Sequence, residues 1–107
     1  MKTEQIDKFK QEIEEEIERR HYNSLVYVLF DELNTAPFAI HIFYRDHLFM
    51  VNSRDDRSYV LGKTFEFTNF LEAKDKFFKV LDFIVREGRR DVAKRGSYMY
   101  PSPLWDD

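Results

Sequence analysis

Phe38-Ala39-Ile40-His41-Ile42-Phe43-Tyr44-Arg45 is the stretch on which the fold turns. Phe38, Ile40, Ile42 and Tyr44 alternate with Ala39, His41, Phe43 and Arg45, the period of a half-buried strand. Downstream, Arg45-Asp46-His47 makes a turn and Leu48 to Asn52 returns antiparallel. Asp55-Asp56-Arg57 makes the next turn, and a shorter strand lies near Tyr59 to Leu61. Gly62-Lys63 breaks or bulges that strand before Thr64 to Phe67. Upstream, Leu25 to Phe30 is continuously apolar, as suits a strand well inside a sheet, and Asp31 to Pro37 is the connecting loop. No connection here is long enough for a crossover helix, so the strands are expected to form an antiparallel meander of four or five.

Helical periods flank the meander. Ile6, Phe9, Ile13 and Ile17 recur at spacings of three and four within residues 3 to 20, with Thr3 as the expected N-cap. Glu12, Glu14, Glu15, Glu16 and Glu18 crowd the rest of that helix, either as a solvated face or as an acidic docking face. After the meander, Asn69-Phe70-Leu71-Glu72 has the spacing of a capping box. Phe70, Phe77, Leu81, Ile84, Val85 and Val92 supply the stripe of a long second helix, widened by Ala73, Phe78 and Phe83. Gly88 either ends this helix or sits within it; Val92 keeps the period, so continuation to about Lys94 is expected, with Gly96 as the stop. The fold class is therefore α+β, an antiparallel sheet of four to five strands with an N-terminal and a longer C-terminal helix on one face. Residues 1–107 form one domain in this reading.

The 107 residues include 11 Phe, 6 Tyr and no Cys. Lack of cysteine excludes a disulfide framework, thiolate zinc sites and thiol catalysis. The longest apolar run, Leu25 to Phe30, is far short of a membrane span, and the Glu- and Lys-rich first twenty residues carry no signal-peptide pattern. Acidic side chains outnumber basic ones in residues 1 to 32, whereas Arg86, Arg89, Arg90, Lys94 and Arg95 cluster near the far end, so a dipolar molecule is expected. A net charge of −3 argues against general nucleic-acid binding.

Chemistry is sparse. His21, His41 and His47 form no metal-ligand spacing, and no serine sits in a Gly-x-Ser-x-Gly elbow. Gly62-Lys63-Thr64 superficially resembles the end of a phosphate-binding loop but lacks the upstream glycine and the following helix. Asp55 and Asp56, with Asp31, Glu32 and Asp46, are explained by turn chemistry more simply than by a catalytic carboxylate pair. No catalytic residue, metal or cofactor is therefore assigned. The basic residues Arg86 to Arg95 complement a helix C-terminus, with an anion- or nucleic-acid-binding module as the alternative.

A surface remains. If both helices cover Phe38, Ile40, Ile42 and Tyr44, then His41, Phe43 and Arg45 face the other way, joined by Phe49 and Val51, on an open and partly aromatic sheet face. His41, Phe43, Arg45, Phe49, Asp55, Asp56 and Tyr59 are the candidate partner-binding residues, the aromatics as anchors and the carboxylates as steering charge. Residues 98 to 107, Tyr-Met-Tyr-Pro-Ser-Pro-Leu-Trp-Asp-Asp, hold the only tryptophan. In water this tail would leave on the order of several hundred Å² of apolar surface exposed, so it is expected to dock, either on its own domain, with Trp105 as a lid on the open sheet face, or on a partner.

The Glu-rich first helix, the short meander, Gly62-Lys63 followed by Phe67, the Asn69-Phe70-Leu71-Glu72-Ala73 helix start and the closing Ser102-Pro103-Leu104-Trp105-Asp106 together resemble the immunity protein 59 family of bacterial polymorphic toxin systems. That resemblance implies a cytoplasmic antitoxin that binds a cognate toxin of the LXG, type VII-secreted kind, or of a similar system, and blocks its active site. It carries over no residue role and leaves the oligomeric state open.

Overall fold

The structure, a computed structural model, describes residues 1–106. Helix α1 (Thr3–Arg19) is followed by strands β1 (Tyr27–Leu29), β2 (Ile40–Arg45), β3 (Leu48–Arg54) and β4 (Val60–Phe67), then by helix α2 (Phe70–Arg95) and a short 3-10 turn at Pro103–Asp106. The strands form one sheet in the order β1-β2-β3-β4. β2, β3 and β4 make the expected antiparallel meander, with Tyr44 opposite Phe49 and Phe49 opposite Phe67. Gly62-Lys63 bulges β4 rather than breaking it, so the described residues form four strands and not five.

β1 corrects the expectation of a wholly antiparallel sheet, for it runs parallel to β2, with Tyr27 opposite Ile40 and Leu29 opposite Ile42. No helix is needed because the strand is so short. Three residues span roughly 10 Å, whereas the segment from Phe30 to Ala39 reaches roughly 33 Å when extended and can return alone. Left-handed turns at its two ends, Phe30 (φ 54°) and Phe38 (φ 65°), direct the chain out of and back into the sheet. Both are anchored: Phe30 N–H donates to the Ile42 carbonyl at 2.7 Å and Phe38 N–H to that of Asp55 at 2.9 Å.

Both helices pack on one side of the sheet. Ile13 and Ile17 of α1 and Phe77 and Leu81 of α2 are fully buried against Ile40, Ile42, Phe49 and Val51. Phe9 stacks on Phe70 at 4.0 Å and meets Phe49 edge-on at 5.6 Å, joining the helix starts to β3. Thr3 is not the cap expected of it, since α1 begins there after an uncapped Lys2. At α2, Asn69 Oδ1 accepts from Glu72 N–H at 2.9 Å, but Glu72 answers through the Asn69 side-chain amide rather than its backbone. The helix runs unbroken through Gly88 to a left-handed Gly96, φ 66°.

The opposite face of the sheet is not open. His41, Phe43, Met50 and Asn52 are all buried there. Glu32 ion-pairs with Arg45 at 3.1 Å, placing the Phe30–Ala39 connection on this side, and the Arg45 guanidinium lies 5.5 Å from the Phe43 ring. Arg54 reaches back to Asn52 Oδ1 at 3.4 Å and to the Ser58 carbonyl at 3.3 Å. Two long arginine side chains and a loop thus cover what strand alternation alone leaves bare.

The tail docks on α2 and not on that face. Trp105 is buried against Gly88, and its indole N–H donates to the Tyr100 carbonyl at 2.7 Å. Arg89 Nε donates to the Leu104 carbonyl at 2.8 Å, and Ser102 meets Ser24 at 2.8 Å.

Candidate functional site

β4 is an edge strand, and α2 lies mainly over β2 and β3, so the helix-facing side of β4 is only half covered. A cleft results, with Leu61, Phe65 and Phe67 along one wall and Lys76, Val80, Phe83 and Ile84 along the other. Left-handed Gly62 (φ 64°) admits the bulge that keeps Leu61 and Phe65 on the same side, paired with Ser53 and Val51. At the end nearest the β3–β4 turn the cleft narrows to a recess of about 190 Å³ walled by Leu61, Ile84, Met99, Tyr100, Asp55 and Asp56. Phe83 is 51% exposed, Leu61 52% and Tyr59 69%, an unusual concentration of large apolar side chains in water.

Aromatic rings hold cations along the middle of the cleft. Lys76 Nζ lies 4.0 Å and Lys63 Nζ 4.8 Å from the Phe65 ring centroid, while the Arg86 guanidinium lies 6.0 Å from that of Phe83. Asp82 is drawn elsewhere, accepting from Tyr22 Oη at 2.7 Å and from Arg20 at 3.1 Å. Burial and that carboxylate together raise the Tyr22 hydroxyl above its ordinary pKa.

Of the seven candidate binding residues, the structure brings Asp55, Asp56 and Tyr59 together at the cleft's turn end. Asp55 builds the turn itself, its Oδ1 accepting from the Arg57 and Tyr59 amides, both at 2.9 Å. Asp56 and Tyr59 are exposed. Arg45 is exposed but tied to Glu32 on the other side of the sheet. Three placements correct the expected open face. Phe49 points to the helices because it sits opposite Tyr44, and it is 6% exposed among the core aromatics, with Val51 likewise in the core. His41 and Phe43 do lie on the far face, buried beneath the covering side chains. Burial in apolar surroundings, with Arg54 nearby and only partly offset by Asp31, lowers the His41 pKa to about 4. Neither of its ring nitrogens has a hydrogen-bond partner among the described residues.

Leu61, Phe65, Lys63, Lys76 and Phe83 are the residues that sequence reasoning missed as a site. Phe83 was legible: two positions on from buried Leu81, it sits about 200° around the helix and so cannot share Leu81's face. The Arg86–Arg95 cluster is not one patch, because Arg89 holds the tail and Arg90 pairs with Glu87 at 3.5 Å. Among the described residues no three His, Asp or Glu side chains gather as a metal site, and no helix is long and apolar enough to cross a membrane.

No curated protein and no solved structure matches the chain. A family model does: that of Immunity protein 59 matches residues 6–106, from the first apolar position of α1 to the docked tail. With almost its whole length matched, the chain belongs to the immunity protein 59 family.

Proposed function

We propose that this chain is a non-catalytic immunity protein that works in the cytoplasm as a single domain, binding a cognate toxin domain of a polymorphic, LXG or type VII-secreted system and blocking its activity. The observation that carries this is the family match over residues 6–106. The cleft supports it, because exposed aromatic and aliphatic side chains flanked by charge suit a protein interface, where large side chains anchor and charges steer. Asp56 and Tyr59 belong to this surface in our reading, with Leu61 and Phe83 as neighbours. A free-standing anion- or nucleic-acid-binding module built on Arg86 to Arg95 is less favoured, since Arg89 and Arg90 already have partners within the chain.

Co-expression tests the function directly. Cells producing the toxin domain encoded in the neighbouring reading frame should survive when this chain is also made, and the two proteins should co-purify. Death of the cells with no complex recovered contradicts the proposal.

A further inference from the structure

The β4–α2 cleft carries a charge pattern that selects its occupant. Lys63, Lys76, Lys79 and Arg86 lie along its middle, yet among the described residues only Lys79 has a carboxylate partner, Asp75 at 2.9 Å. The carboxylates beside these cations are engaged elsewhere: Asp82 by Arg20 and Tyr22, Asp75 by Lys79, and Glu72 by the Asn69 side-chain amide. Unneutralised cations over aromatic rings form a basic strip within a chain whose net charge is −3. Toward the turn the character reverses, with exposed Leu61 and Tyr59, then Asp55 and Asp56. From Leu61 to Phe67 the strand wall is roughly 20 Å long, and among the described residues no strand pairs with its outer edge.

We infer that this cleft docks an acidic segment of the partner protein, lying along the open edge of β4. Its carboxylates meet Lys63, Lys76 and Arg86, and its apolar side chains pack on Phe83 and, nearer the turn, between Leu61 and Ile84. A nucleic-acid strand fits less well, because its evenly spaced phosphates would continue into Asp55 and Asp56. The inference rests on the toxin-binding function proposed above and specifies the surface and the chemistry of the toxin that meets it.

The test measures affinity between the full chain and the catalytically inactivated toxin domain from the neighbouring reading frame. Lys63→Glu with Lys76→Glu should raise Kd about 100-fold, an effect that shrinks at high salt. Phe83→Ala should raise Kd about 30-fold, mainly through the off-rate. Lys76→Gln should lie between, and unchanged melting temperatures should show that all three fold. Glu14→Lys with Glu18→Lys on the exposed face of α1 should leave Kd unchanged. If the wild type binds but the cleft variants bind equally well, whatever the α1 variant does, the inference is overturned and the toxin-binding function stands. No binding by the wild type removes that function and the inference with it. Binding of oligothymidylate, or a self-association, that is tighter than toxin binding and lost in Lys76→Glu would also overturn the inference.

Discussion

Gly88 and Trp105 pack against each other with no room between them for a side chain. The ring sits where a Cβ at position 88 would be, so the mid-helix glycine exists to admit it. Trp105→Ala should lower stability by about 3 kcal/mol in denaturant unfolding, as for other buried aromatic rings. Gly88→Ala should also destabilise, by expelling the tail. In the Trp105→Ala background its sign should reverse, leaving a gain of up to about 1 kcal/mol from helix propensity. Equal effects in both backgrounds would mean that the two residues do not touch. His41 gives a second prediction at this scale. Its folded pKa of about 4 lies below the unfolded value of 6.5, so the unfolded chain binds the proton first as pH falls. Stability should then be full above about pH 6.5 and decline by about 3 kcal/mol toward pH 4. His41→Met should remove that part of the slope and, by eliminating two unpaired buried nitrogens, gain about 1 kcal/mol at neutral pH.

At the scale of elements, local chemistry decided what was legible. The Asn69 cap holds the start of α2, and Asn69→Ala should cost about 1 kcal/mol by thermal unfolding while leaving the fold intact. The α2 stripe, its passage through Gly88 and its stop at Gly96 were readable because each is set by residues within a few positions. The direction of β1 was not. A three-residue strand has no periodicity that records orientation, and the loop from Phe30 to Ala39 turns at phenylalanines with positive φ, where composition gives no warning. The face of β3 was misassigned for a related reason. Which face Phe49 joins depends on its register against Tyr44, fixed by the Asp46-His47 turn in which both residues have positive φ, and a slip of one position exchanges the faces. The expected openness of the far face failed with it. The Glu32 connection pairs with Arg45 thirteen residues on, and Arg54 folds back on Asn52 and Ser58, so that together they cover the far face, whereas the cleft that is open arises from how α2 sits over an edge strand.

Over the whole molecule the charge is divided, with Glu14, Glu15 and Glu18 exposed on α1 and the uncompensated cations of the β4–α2 cleft set apart from them. The cleft cations alone face the proposed acidic segment, so the association rate with the toxin domain should fall as salt rises while the dissociation rate changes little. Stopped-flow binding across a salt series checks this; a flat on-rate would assign the charges to solubility alone. A chain that neutralises a toxin by binding it, as proposed, inhibits the purified toxin domain with no other component present. Titrating the chain into the toxin's own activity assay should abolish activity at equimolar ratio, and persistent full activity in the presence of a large excess would contradict the account.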